Sequence, residues 1–279
     1  MQANWRTWST ETKNSQFDRL REAGRRQGWL SEAARITLAS SGAKTPGIDG
    51  IDKVQMAENL HAELAAIRTQ LLAGSYNPLP ARRVLIPKAN GKMRPLGIPC
   101  LRDRIVQRAI LMVMEPIWES DFHPASYGFR PARSVHHAIR AVKLQLQDSG
   151  EQSTSGRWEI EGDHASYFDT VHHRLLLKGI RKRIADQRLL ALLWKFIKAG
   201  CVDHGLFRAA SEGVPQGGVI SPFFPTSCCT NSMPGWRRIT SARKCAKTGT
   251  CGTSASETGD LLPRRRTGSG YLHIVLPLR

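Results

Sequence analysis

Glu161-Gly-Asp163-His-Ala-Ser-Tyr-Phe168-Asp169-Thr-Val-His-His173 and Gly213-Val-Pro-Gln216-Gly-Gly-Val-Ile-Ser-Pro222 carry the reading of this chain. In the first, an apolar-flanked strand over 158–163 ends on the carboxylate of Asp163. A carboxylate at a strand end can ligate Mg²⁺, a hard cation that prefers oxygen. One carboxylate does not make a two-metal site, which needs ligands for two ions about 3.5–4 Å apart. Taken alone, an Asp at such a position is more often a capping or surface residue. Asp169 is expected to cap the helix that follows it. His164, His172 and His173 lack the Cys or carboxylate spacing of a metal site and read as ordinary surface histidines. In the second stretch the glycines let a backbone approach a ligand closely, with Gln216 as the one amide side chain. No Gly-Lys-Ser/Thr ending follows, so it is not a Walker loop.

Upstream, Arg82-Arg-Val-Leu-Ile-Pro-Lys88-Ala-Asn90-Gly91-Lys-Met-Arg94-Pro-Leu-Gly-Ile98 reads as a β-hairpin, because Asn90-Gly91 supplies positive-φ residues to a tight turn. Arg82, Lys88 and Arg94 recur every six residues, and an even offset along a strand keeps side chains on one face. Three such cations suit a triphosphate; they equally suit an edge strand protected by charge. The spacing of Met56, Leu60, Leu64, Ile67 and Leu71 predicts a helix over 54–73 ended by Gly74. Further helices are expected over 16–27, 101–114, 134–147, 172–184 and 186–199. Helices with a few strands give an α+β fold with the sheet carrying the site.

Composition bounds the partners. The 279 residues hold 41 Lys and Arg against 23 Asp and Glu, a formal charge of +18. Nine basic and two acidic residues fall in 223–279, so the first 222 residues still carry +11. Such a field favours a polyanion. No run of about 18 apolar residues is present, which argues against a spanning helix, and the N-terminus lacks an apolar signal core. Nucleic acid is therefore the expected partner, and the cytoplasm the expected location. Of the six cysteines, Cys100 and Cys201 lie in the patterned region, while Cys228, Cys229, Cys245 and Cys251 follow it at spacings that match no zinc pattern.

The order of these segments is more specific than any one of them. Leu85-Ile-Pro-Lys88-Ala-Asn-Gly-Lys-Met-Arg94-Pro-Leu-Gly-Ile-Pro99 is followed by Asp103-Arg-Ile-Val-Gln107, then Ser126-Tyr-Gly-Phe-Arg-Pro-Ala-Arg-Ser134, then the Asp163 run and the 213–222 loop. Over about 45–222 this resembles the reverse transcriptases of bacterial group II introns, also called maturases. The resemblance implies a right-hand polymerase fold with fingers and a partial palm over 45–222. Before it lies a basic extension, 1–44; after it, a non-family and disordered tail, 223–279. It implies RNA-directed DNA synthesis with Mg²⁺, and assistance to intron splicing and mobility. The implied partners are intron RNA, template RNA, a DNA primer and dNTP, with no membrane. By the same resemblance Asp163 is the first catalytic metal ligand, and Phe168 lies under the sugar and excludes a 2′-hydroxyl. Arg82, Lys88 and Arg94 are triphosphate contacts, and Gln216 and Gly217 belong to the loop beside the nascent base pair.

One departure matters. The family continues into a strand–turn–strand with Tyr-Ala-Asp-Asp, whose aspartates complete the metal site, and that tetrapeptide does not occur here. Residues 226–269 are rich in Ser, Thr, Gly, Cys and Arg with no sustained period, so they bury too little apolar surface to offset ordering entropy. Codons for 223–236 can spell an amphipathic, family-like helix in a neighbouring frame. The expectation is a frameshift near codon 223 that leaves a fragment inactive alone. Nucleotide sequencing checks it: an alternative frame that fails to reach Tyr-Ala-Asp-Asp rules the frameshift out. The alternatives are an RNA-binding remnant without catalysis, or a retron or diversity-generating reverse transcriptase.

Overall fold

The computed structural model describes residues 27–88, 91, 93–147, 158–161, 167–214, 216–221, 223 and 273–276. Two compact units arise, one from Met1–Arg133 with Tyr167–Cys228, the other from Ser134–Ser166 with Cys229–Arg279.

The first unit begins with α1 (Gln27–Ala39), followed by a 3-10 turn, Ser41–Lys44. The sequence reading missed α1; the helix it expected over 16–27 lies outside the described residues but for Gln27. Leu30, Ala33, Ala34 and Thr37 are buried, and Trp29 donates from its indole nitrogen to the Ala109 carbonyl at 3.1 Å. The expected helix over 54–73 is two helices, α2 (Lys53–Glu58) and α3 (Leu60–Ala73), broken at Asn59. Asp52 caps α2 in a reciprocal capping box with Gln55, which satisfies backbone N–H groups that lack an intrahelical partner. Gly74 ends α3 in the left-handed conformation, φ 73°, where glycine carries no Cβ penalty.

The hairpin forms as expected. Strand β1 (Ala81–Pro87) pairs antiparallel with β2 (Met93–Ile98), and Gly91 (φ 75°) donates to the Lys88 carbonyl at the turn. Helix α4 (Leu101–Glu119) runs five residues past its expected end, through Pro116. Most of α4 is buried: Leu101, Ile105, Met114, Ile117 and Trp118 are at most 1% exposed. Burying each such side chain contributes roughly 1.5–3 kcal/mol. The short α6 (Tyr167–Thr170) precedes α7 (His173–Arg181) and α8 (Gln187–Lys198). Asp186 caps α8 through the amides of Arg188 and Leu189. Strands β4 (Cys201–Asp203) and β5 (Leu206–Arg208) complete a sheet of order β2-β1-β4-β5, in which β1 and β4 run parallel. Phe223 is buried edge-on against Trp118, ring centroids 5.2 Å apart.

The second unit holds α5 (Val135–Gln147), whose third residue His137 donates its amide to Ser134 Oγ at 3.4 Å, so Ser134 opens the helix as expected. Strand β3 (Trp158–Glu161) pairs antiparallel with β6 (His273–Leu276) in the register Trp158↔Leu276 to Glu161↔His273. Residues 273–276, within the tail expected to be disordered, thus contribute a strand. The rest of the expected disordered tail lies outside the described residues apart from Phe223.

Candidate functional site

A cleft of about 270 Å³ opens between β2, the turn after α6 and the glycine loop. Its lining includes Leu96, Gly97, Phe168, Asp169, Gly213 and Gln216. The glycine loop is clasped to α6 through the backbone. Gly213 donates to the Val171 carbonyl at 2.9 Å, and Val214 to that of Phe168 at 2.7 Å. A Cβ on Gly213 (φ 77°) would lie 2.8 Å from the carbonyl oxygens of both Phe168 and Asp169, so only glycine fits.

His173 secures the far side of the clasp. Its Nε2 lies 2.6 Å from the Gly213 carbonyl and its ring meets Trp194 edge-on. The expectation of a surface histidine fails here: His173 is 3% exposed, and burial pulls its pKa below the ordinary value. A ring without its charge still donates one hydrogen bond, which the Gly213 carbonyl accepts. Asp169 does not cap the next helix. It lies within α6, exposed on the cleft, and His172 caps α7 by accepting the Leu175 amide. His164 lies outside the described residues.

The other end of the loop reaches the hairpin. Gln216 accepts from Arg94 Nε at 2.8 Å through its side-chain oxygen, and its carbonyl accepts from the Gly97 amide at 2.6 Å. A Cβ on Gly217 would lie 2.7 Å from the Gly97 carbonyl oxygen and 2.8 Å from Leu96. Gln107 in α4 supports the loop from beneath, its side-chain oxygen 3.4 Å from the Ile220 amide.

Strand register puts Arg82, Ile86 and Arg94 on one face, as the even spacing implied. The three cations do not converge, however. Arg94 meets the loop, Lys88 is exposed at the hairpin tip, and Arg82 donates through Nη2 to the Pro46 carbonyl at 2.9 Å. The structure therefore brings Arg94, Gln216, Gly217 and Phe168 together and leaves Arg82 and Lys88 apart. Asp163 lies outside the described residues.

Residues that sequence reasoning did not single out hold this frame. Arg104 is 8% exposed and its guanidinium donates to three backbone carbonyls: Pro99 at 2.7 Å, Gly42 at 2.8 Å and Thr45 at 2.7 Å. Asp103, one residue earlier, accepts from the Tyr76 hydroxyl at 2.7 Å and the Leu79 amide at 3.1 Å; burial raises its pKa to about 6 against the pull of those hydrogen bonds. The Asp103-Arg-Ile-Val-Gln107 run carried the signal, yet its family resemblance alone gave no hint that it ties loops together.

The cleft offers carboxylates at Asp169 and Glu212, oxygen donors of the kind Mg²⁺ takes. Among the described residues, no three His, Cys, Asp or Glu side chains cluster as a metal site would.

The reverse transcriptase (RNA-dependent DNA polymerase) family model matches residues 86–245, more than half of the chain. The chain belongs to the reverse transcriptase family. Among its relatives, protein YkfC of Escherichia coli K12 is 66% identical over 222 residues, which cover 80% of this chain and 58% of YkfC. The group II intron-encoded protein LtrA of Lactococcus lactis subsp. cremoris is 34% identical over 223 residues, covering 76% of this chain and 35% of LtrA. The chain thus spans 58% and 35% of the length of these two relatives. A solved structure described as a partial Cas6-RT-Cas1–Cas2 complex superposes with a TM-score of 0.50 at 18% identity, over 77% of this chain and 34% of that one, a likeness of fold alone. No helix among the described residues is long and apolar enough to cross a membrane.

Proposed function

We propose that the chain is the fingers and first part of the palm of a group II intron RNA-directed DNA polymerase, which in full copies RNA into DNA and assists splicing and mobility of its intron. The observation that carries this reading is the Arg94–Gln216 hydrogen bond of 2.8 Å, which ties the fingers hairpin to the glycine loop beside Phe168. Arg94 holds Gln216 through Nε, which leaves its Nη nitrogens to face a phosphate. Gln216 and Gly217 then border the nascent pair, and Phe168 bears on the sugar. Lys88 at the hairpin tip and Arg82, held to the Pro46 carbonyl, stand apart from this contact, so Arg94 is the fingers cation assigned to the triphosphate. Asp163 is the metal ligand in this assignment. Mg²⁺, when bound, neutralises charge on the phosphate oxygens.

The sequence as it stands holds no Tyr-Ala-Asp-Asp, so it supplies one of the three family carboxylates. Primer extension on an RNA template with dNTPs and Mg²⁺ is expected to give no incorporation. Mg²⁺-dependent extension abolished by Asp163→Ala would overturn the assigned inactivity. The second reading, a cytoplasmic RNA-binding remnant, is favoured by the +11 charge of the first 222 residues. Affinity for RNA is expected to fall steeply with salt through counterion release. A flat salt dependence, or no binding, sinks the nucleic-acid reading altogether.

A further inference from the structure

Loop 122–133 presents an aromatic ring in a way its own packing does not explain. Phe129 has φ 54° and is 78% exposed. A left-handed backbone is unfavourable for a bulky L-residue, and an exposed ring gains little burial to offset it. Gly128 beside it is open: a Cβ there would meet nothing within 4 Å. A second non-glycine residue of the loop, Ala132, also has positive φ, at 58°.

The loop is nevertheless held firmly. Arg130, 8% exposed, donates to both carboxylate oxygens of Glu119 at 3.2 and 2.8 Å, and to the carbonyls of His123 and Ser126 at 2.9 and 2.8 Å. Its guanidinium also lies over the buried Phe122 ring, 5.1 Å from the centroid. Arg133 donates to the Pro124 carbonyl at 2.9 Å and stacks on Tyr127 at 5.3 Å. Strained residues persist where the surroundings over-determine them, and they gather at ligand clamps. Here the surroundings fix the backbone and leave the ring free.

We propose that loop 122–133 is a stacking platform that offers Phe129 to an unpaired base of single-stranded RNA. The proposal rests on the reading that the chain binds RNA and adds where a base is held. Bases splayed from single strands stack on aromatic side chains and on Arg guanidinium planes. The loop supplies both, in Phe129 and in Arg133 over Tyr127, and residues 122–133 contain no Asp or Glu. An apolar protein partner would not call for that pairing of exposed aromatic with cations.

The test compares Phe129→Ala, Phe129→Gly and Phe129→Trp in the full chain, with a short single-stranded oligoribonucleotide carrying a fluorescent aminopurine. Phe129→Ala and Phe129→Gly are expected to weaken binding on the order of tenfold and to lose the quenching that stacking gives. Phe129→Trp keeps both. The salt dependence of binding stays as in the wild type, because no phosphate contact is lost. Phe129→Gly relieves the left-handed backbone, so its Tm is unchanged or higher by a few degrees, on the order of 1–4 °C. Wild-type affinity in Phe129→Ala and Phe129→Gly overturns the platform while leaving the RNA-binding reading intact. A fall in Tm for Phe129→Gly marks the ring as a packing residue and also overturns it. So does self-association of the wild type that Phe129→Ala abolishes with RNA affinity unchanged. Failure of the wild type to bind the oligonucleotide removes the RNA-binding reading, and the platform with it.

Discussion

Arg104→Met lowers the unfolding free energy by about 3–5 kcal/mol in urea, with the slope unchanged. Methionine fills much of the space of the arginine stem but donates nothing. The carbonyls of Gly42, Thr45 and Pro99 then lose the donors that now sit at 2.7–2.8 Å. A buried acceptor left unsatisfied costs about 1–3 kcal/mol; the Gly42 carbonyl keeps the Thr45 amide at 3.1 Å, so the full cost falls on Thr45 and Pro99. Two of these three bonds are partly buried rather than fully buried, so water recovers some of the loss and the middle of the range applies. Arg104→Lys separates charge from geometry. An ammonium keeps the charge but cannot reproduce the planar fork that spans carbonyls from two chain segments, so it recovers less than half of the loss. The local consequence is specific: amides of 42–45 exchange faster, because the turn keeps Arg82 on the Pro46 carbonyl but loses the Arg104 tether. A loss below about 1 kcal/mol for Arg104→Met, or rescue of full stability by lysine, removes the tether from the account.

That tether shows what the sequence did and did not make legible. The hairpin was legible because its signals are local: alternation, then Asn90-Gly91 at the turn. Gly74 stopped α3 where the pattern said it would, since a left-handed end is a property of that residue. Helix α1 was missed although Leu30, Ala33, Ala34 and Thr37 follow a helical period, because alanine and threonine mark a buried face weakly in composition. The break at Asn59 divided one expected helix, because apolar spacing continued across it. Long-range partners were out of reach. His173 is buried by Gly213, forty residues away, and by Trp194, and no neighbour in sequence announces either. Arg104 reads as a charged surface residue until the turns at 42–45 and Pro99 close around it. The family resemblance supplied the right segments in the right order, but it gave Arg82, Lys88 and Arg94 a common task before geometry had placed them. Only Arg94 meets the glycine loop, because Lys88 lies at the hairpin tip and Arg82 is turned towards Pro46.

Gly213→Ala is expected to cost about 3 kcal/mol and to open the floor of the cleft. Two effects add. An alanine at φ 77° pays the left-handed penalty, about 1–2 kcal/mol. Its Cβ also lands 2.8 Å from the carbonyl oxygens of Phe168 and Asp169. Both are backbone atoms of the short helix α6, and neither can swing aside as a side-chain end would. The loop must therefore lift, which breaks the 2.7 Å bond from Val214 to Phe168 and the 2.6 Å contact from His173 to the Gly213 carbonyl. Gly205→Ala isolates the first effect. It has the same backbone hand, φ 82°, but a Cβ there meets nothing within 4 Å, so only the conformational penalty of about 1–2 kcal/mol applies. The difference between the two variants in urea unfolding measures the clash alone. Hydrogen exchange at the Val214 amide reports where it acts: protection falls in Gly213→Ala and stays at the wild-type level in Gly205→Ala. Equal stability losses in the two variants, with Val214 still protected, would show that the loop has room to spare. The positions of Phe168 and Gln216 at the cleft would then have to be fixed by something other than the clasp. If the losses differ as expected, the site depends on a glycine that acts by letting two backbones meet.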